Sequence, residues 1–453
     1  MRNPMFVYDE KLADMIFDYC RQRLSFDPVP LDYGSAGAAG LNEAVAGLIN
    51  DHGTDPQRVL DVFTQHLAEA VVSCDSPLYL SFIPAAPTKA AMLFDMVVSA
   101  STMHGTSWLE AAGVAVAENQ ALAVIAAEAG LPETAGGCFV SGGSAGNLSG
   151  LMVGRDTTHH RMGAKAPERP VVAISEEAHS SVGKAAHVLG MESLLIPCDD
   201  HRLTGAAIRS FLDGHPRADD VVTVVATGGT TNAGIIDDLA GIGALARERK
   251  WWFHVDGAYG CAALFAPSVR SRFDGIELVD SFVVDPHKWL FAPFDCAALL
   301  YREPHLAKAV HTQDASYLDV MHTDAPEEWN AADYAYHLTR RARGLPLWFS
   351  MAVNGIDAYR EAIETVLAVT QQVADLIEAT EGLELVRRPE LSVVMFRKDG
   401  WTRADYEAWS HRLLREQVAF VMPSTWEGEA VGRFAMLHPD LTVGMIADIL
   451  DTM

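Results

Sequence analysis

Phe282-Val283-Val284-Asp285-Pro286-His287-Lys288-Trp289 is a short apolar run that ends abruptly in an acid, a proline, an imidazole and an amine. The run reads as a strand buried on both faces, because it is continuous and β-branched rather than alternating. Proline closes the strand, and the polar residues then fall at its carboxyl end. Six other runs have the same character: Cys138–Val140, Val171–Ile174, Leu194–Ile196, Val221–Ala226, Trp252–Val255 and Ala297–Tyr301. Helical stretches separate them at βαβ spacing, which predicts an α/β fold around a mainly parallel seven-stranded sheet. Outward from this centre, Pro56–Val72 and Glu110–Ala129 read as helices upstream, and Trp348–Thr380 as one long helix downstream. Ser392–Phe396, a helix over Arg403–Arg415 and a run at Phe434–Leu437 then predict a small C-terminal α+β domain. The expected division is an N-terminal helical segment (1–75), a large domain (76–344) and a small domain (345–453).

Ligands of open α/β sheets bind at the carboxyl ends of the strands, so the residues just past each run decide the chemistry. After the first come Ser141-Gly142-Gly143-Ser144-Ala145-Gly146-Asn147, small residues opening a helix, a backbone suited to a phosphate. After Trp252–Val255 come Asp256-Gly257-Ala258-Tyr259: an acid able to hold a protonated ring nitrogen, then a side chain small enough to lie under a ring. Lys288 supplies an amine able to attack a carbonyl. Singly, each is ordinary: a turn, a cap, a surface lysine. Together they form the set expected for pyridoxal 5'-phosphate (PLP) held as a Schiff base by Lys288, with Asp256 as the acidic partner of the ring nitrogen. His179, in Ala178-His179-Ser180-Ser181, could stack on such a ring, and the loop Thr227–Gly234 could bring it a threonine hydroxyl.

The ordered set resembles the group II PLP-dependent amino-acid decarboxylases, the family of the aromatic-L-amino-acid, histidine and glutamate decarboxylases. Pro77–Pro84, Ser141–Asn147, Ala178–Ser181, Gly229-Thr230-Thr231, His254–Tyr259, Asp285–Trp289, Leu338–Arg343 and Arg433-Phe434 carry the likeness, from about Asp75 to about Pro439. The resemblance implies the PLP-dependent transferase-like fold (fold type I) and a homodimer with its active site at the subunit interface. It implies that Gly143, Ser144 and His287 hold the phosphate, that Thr231 lies near the ring, and that Ala258 lines the face opposite His179. The reaction implied is loss of CO2 from an L-amino acid to give its amine, and Tyr334, on the loop Asp314–Tyr336, would return a proton, with Tyr336 as competitor. Without such a tyrosine, relatives of this family form aldehydes with oxygen, which is the alternative outcome. Departures from the aromatic enzymes are Asp285 in place of Asn, Ala85 in place of Thr and Thr106 in place of Phe. The first leaves the contact of Asp285 with the phosphate region open; the other two weigh against a catecholamine-type substrate, while an aromatic or other bulky amino acid stays open.

A rival reading takes Gly142-Gly143-Ser144-Ala145-Gly146 as a G-x-S-x-G nucleophile elbow, with Asp256 and either His311 or His438 completing a hydrolase triad. It leaves Lys288 and the loops of His179 and Thr231 without a task. A non-catalytic relative is a third reading, opposed by the joint presence of Lys288 and Asp256. The formal net charge of −26 argues against nucleic acid or an anionic membrane as partner. No segment is expected to span a membrane and no metal site is expected. Six scattered cysteines without a CxxC pair suit reduced thiols in the cytoplasm.

Overall fold

The computed structural model describes all residues except 1, 2, 35, 84, 85, 314–324, 326 and 327. The expected strands form β1 (Gly136–Val140), β2 (Val171–Ser175), β3 (Glu192–Ile196), β4 (Val221–Thr227), β5 (Trp252–Asp256), β6 (Ser281–Val284) and β7 (Ala297–Tyr301). They make one sheet in the order β1-β7-β6-β5-β4-β2-β3. β2 to β6 run parallel, and β7 is antiparallel to both of its neighbours. Every residue of β2, β4, β5, β6 and β7 is buried, which is why these strands read as unbroken apolar runs.

The helix Gly143–Met162 crosses the sheet at very close range because glycines face the strands. A Cβ on Gly146 would lie 2.6 Å from Val283 Cγ2, and one on Gly154 would lie 2.7 Å from Trp252 Cδ1. The helix Trp108–Glu128 is long and apolar enough to cross a bilayer by length and composition. It packs instead beside β1, with Glu118 buried against Arg340.

Beyond Gly344 the expected single helix is two, Leu345–Asn354 and Ile356–Ala379, split at Gly355, whose φ of 78° interrupts the helical backbone. The second leads to a four-stranded antiparallel sheet of β8 (Leu383–Leu385), β9 (Val393–Lys398), β10 (Ser424–Trp426) and β11 (Glu429–Ala435), in the order β10-β11-β9-β8. Its helix Arg403–Arg415 opens with a capping box between Thr402 and Asp405.

His201 ties this small sheet to the large one. Its Nδ1 lies 2.8 Å from Glu177 and its Nε2 3.3 Å from Glu427, with the ring against Trp426 at 4.0 Å. Partial burial pulls the imidazole down, but the hydrogen bonds to Glu177 and Glu427 outweigh it and raise its pKa above 6.5. A raised folded-state value stabilises fully below about pH 6.5 and is lost as pH climbs through the raised value. His201→Gln is therefore expected to lower the unfolding midpoint at pH 5.5, by the equivalent of about 0.5 kcal/mol, and to have less effect at pH 9. Thermal melts of both proteins at the two pH values check this; an equal loss at both would reject the charged tie.

Candidate active site

Five strand ends converge on one cavity of about 360 Å³. Ser141, Gly142, Gly143 and Ser144 enter it after β1, and His179 after β2. Thr227 ends β4 and Gly229 and Thr231 follow it, Asp256 ends β5 and Ala258 follows it, and Asp285, His287 and Lys288 follow β6. The loops thus bring together every cofactor-binding residue expected from the sequence.

Lys288 Nζ lies 2.9 Å from Asp285 Oδ2, and the Asp285 side chain is almost wholly buried. The other carboxylate oxygen, Oδ1, is buried without a partner. Likeness to the aromatic enzymes gave Asp285 no clear contact; here it holds the lysine. His287 accepts the Cys296 amide on Nδ1 at 3.0 Å, so its proton sits on Nε2. Burial lowers its pKa and keeps the ring neutral, a hydrogen-bond donor rather than a cation. Asp256 is 5% exposed, and its Oδ1 accepts the Ala258 amide at 3.1 Å. Its Oδ2 accepts Asn147 Nδ2 at 2.9 Å. His179 takes hydrogen bonds on Nδ1 from Ser181, whose Oγ is at 2.8 Å and whose amide is at 3.2 Å.

The cradle suits a flat phosphorylated ring. A Cβ on Gly143 would stand 2.9 Å from Ala258 Cβ and 3.2 Å from either oxygen of Asp285, so only glycine leaves that space open. Gly143 and Ser144 begin a helix, where the first amides lie outside its own hydrogen-bond ladder and favour an anion. A donor imidazole, a buried carboxylate, an amine and a helix N-terminus make a donor set that fits PLP.

Arg433, on β11, stood out in the sequence only as part of a motif. Its guanidinium is buried and donates to the carbonyls of Phe82 (2.9 Å), Thr231 (2.5 Å) and Asn232 (3.1 Å), fixing the loop that carries Thr231. Burial lowers its pKa to about 10. Asn147 and Ser181 likewise fell inside motifs without a role of their own. Leu338–Arg343 proves to be a frame: Arg340 pairs with Glu118, Arg341 with Asp95 and Arg343 with Asp295, and Asp295 lines the cavity.

Other expected residues lie elsewhere. Tyr334 is buried with its ring stacked on Trp329 at 4.1 Å and does not line the cavity; Tyr336 is half exposed and does not line it either. Much of the loop 314–336, and Ala85, fall outside the described residues. Thr106 is buried beside His104, 3.3 Å from its Nδ1. Neither histidine of the hydrolase reading reaches Ser144. His311 is buried against the Ser149 carbonyl, and His438 lines a different cavity with Asp75 and Asp440.

Residues 43–399 match the pyridoxal-dependent decarboxylase conserved domain. An aromatic-L-amino-acid decarboxylase of Bacillus atrophaeus is 30% identical over 362 residues, 79% of this chain and 75% of the relative. An L-2,4-diaminobutyrate decarboxylase of Rhizobium meliloti (strain 1021) is 33% identical over 376 residues, 80% of this chain and 74% of the relative. The fold is shared with Oryza sativa TDC, solved with PLP and tryptamine, at a TM-score of 0.91 and 24% identity over 100% of this chain and 98% of that one. A cavity built for PLP at the carboxyl edge of this sheet, a domain match across most of the chain and relatives of one chemistry agree, and the chain belongs to the pyridoxal-dependent decarboxylase family.

Proposed function

We propose that this enzyme removes CO2 from an aromatic or other bulky L-amino acid, giving the amine, with Lys288 as the residue that carries the cofactor. The observation that carries the reading is the shared cavity of Lys288, Asp256 and the Gly143–Ala258 cradle. When bound, PLP supplies an electron sink for the pair left on carbon as CO2 departs. Lys288 would hold the cofactor through its amine, and Asp285 would pair with that amine whenever it is free. Asp256 would hold the proton on the ring nitrogen, which would strengthen the ring as an electron sink. His179 and Ala258 would flank the ring, Thr231 would lie near it, and Gly143, Ser144 and His287 Nε2 would hold the phosphate.

Phe294 supports an apolar substrate. It lines the cavity, is 58% exposed and lies 4.9 Å from the His287 ring, so it offers an uncovered aromatic face beside the reacting centre. The aromatic relatives favour the same class.

The proposed enzyme is a homodimer dividing into segments 1–75, 76–344 and 345–453. The helices Glu10–Leu24, Ala38–Val45 and Pro56–Val62 bury none of their residues in the single chain, and Phe6, Tyr8, Leu12, Ile16 and Phe17 are exposed. An apolar surface of that kind calls for a partner. The six cysteines form no disulfide among the described residues, which supports a cytoplasmic setting.

The test is a panel of L-amino acids (Phe, Tyr, Trp, His, Val, Leu, Asp, Glu and diaminobutyrate) scored for CO2, amine and oxygen uptake. The expected result is CO2 and amine in equal amounts from an aromatic or bulky substrate, without oxygen uptake. Aldehyde with oxygen consumption would replace the proposal with the oxidative alternative, in which Tyr334 has no part as proton donor. Turnover of diaminobutyrate alone would overturn the substrate class.

A further inference from the structure

A line of hydrogen bonds runs from the cavity down into the core beneath it. Trp252 Nε1 donates to Ser281 Oγ at 2.9 Å, and Ser281 Oγ lies 2.8 Å from His254 Nδ1. His254 Nε2 lies 2.9 Å from Asn147 Oδ1. Asn147 Nδ2 then donates twice, to Asp256 Oδ2 at 2.9 Å and to Ser181 Oγ at 3.0 Å. Ser181 in turn reaches His179 Nδ1. Trp252, Ser281, His254 and Asn147 are completely buried.

The direction of every bond is set by its ends. A carboxylate accepts only, so the Asn147 amide must turn its NH2 to Asp256 and its oxygen to His254. His254 Nε2 therefore carries a proton. Burial pushes this imidazole down to about 4, so it is neutral and its Nδ1 is bare. Ser281 must then donate to Nδ1, and the oxygen of that hydroxyl is free to accept the indole N–H, which can only donate. On the other branch Ser181 accepts from Asn147 and so donates to His179 Nδ1, which places the His179 proton on Nε2. No donor in the line faces a donor. Close packing holds it: a Cβ on Gly150 would stand 2.8 Å from His254 Cε1 and 3.4 Å from Ser281 Oγ.

We propose that Asn147, backed by His254, Ser281 and Trp252, is a positioning residue that holds the Asp256 carboxylate in the orientation that meets the cofactor's ring nitrogen and fixes His179 as its Nε2–H tautomer. One amide thereby sets two cavity side chains at once. The inference rests on the proposed role of Asp256 as partner of the ring nitrogen.

The experiment reconstitutes wild type, Asn147→Ala, Ser281→Ala and Asp256→Ala with PLP labelled with 15N in the ring, and with an analogue carrying carbon in place of that nitrogen. The ring 15N shift and the equilibrium affinity are read beside kcat. Asn147→Ala is expected to move the 15N signal toward the unprotonated position and to weaken PLP by about 10–100-fold, the range for losing an outer partner of a metal-ligating side chain. With the carbon analogue the two proteins should bind within about twofold of each other, because the Asp256 contact no longer counts. Ser281→Ala should give a smaller change in the same direction, and it carries the test if Asn147→Ala does not fold. A wild-type 15N shift in Asn147→Ala or in Ser281→Ala overturns the proposal, as does an equal loss of affinity for both cofactors. If Asp256→Ala itself keeps the protonated signal, the fault lies instead with the assignment of Asp256 to the ring nitrogen.

Discussion

Lys288→Ala is expected to lower kcat by roughly three orders of magnitude or more, since the covalent hold on the cofactor and the amine that exchanges with substrate disappear together. Borohydride reduction of the wild type should fix the cofactor onto the peptide containing Lys288, and the variant should yield no such adduct. The substitution has a second consequence. It removes the ammonium 2.9 Å from Asp285 Oδ2, in a carboxylate whose Oδ1 already lacks a partner. The lysine side chain is 25% exposed, so losing the pair costs less than the about 3–5 kcal/mol of a fully buried one, and Lys288→Ala should melt somewhat earlier than wild type when both are compared without cofactor. Adding Asp285→Asn should return much of that stability and none of the activity. The double variant thus separates the lysine's structural pairing from its chemistry, and a labelled adduct on another lysine would remove Lys288 from the role altogether.

The parts of this protein that were legible in the sequence are those in which one segment carries its own signal. Val171–Ile174 and Val221–Ala226 announce buried strands because both faces are covered and no polar residue breaks the run. Asp256, His287 and Lys288 stand at strand ends, where the topology of a parallel sheet gathers side chains. Gly355 was harder to read: residues on both sides favour helix, and only its left-handed φ marks the break. The hydrogen-bonded line from Trp252 to Asp256 was illegible for a different reason. His254 and Asp256 are two apart on β5 and so share a face, a faint signal of polar purpose in an apolar strand. Their link, however, is Asn147 on a helix more than a hundred residues earlier, and Ser281 lies on the neighbouring strand. Arg433 likewise had a visible motif and invisible partners, since three backbone carbonyls have no sequence signature.

Glu118→Leu is expected to be among the most destabilising single substitutions outside the cavity. Glu118 and Arg340 are a pair with side chains 2% and 1% exposed. The carboxylate also accepts the Gly344 amide at 2.8 Å, at the start of the helix Leu345–Asn354. Leucine would fit the apolar face of Trp108–Glu128 and improve its propensity, so a calculation from the helix alone predicts gain. The deciding magnitude is the guanidinium left behind: an unpaired buried charge costs about 3–5 kcal/mol, against a few tenths for helix propensity. Glu118→Gln, which keeps an acceptor for Gly344, should lose less. Pairing Glu118→Leu with Arg340→Met should recover most of the loss, because two apolar side chains of similar volume need no partner. Denaturant unfolding of the four proteins measures this. Arg340 Nη1 also reaches the Phe139 carbonyl at 3.4 Å, on the strand that leads into Ser141–Ser144. The single variant should therefore release PLP more readily than wild type at temperatures where it is still folded, and the double variant should retain part of that defect. A Glu118→Leu protein as stable as wild type would mean that water reaches Arg340, and that the arginine frame of Leu338–Arg343 does not support the phosphate loop.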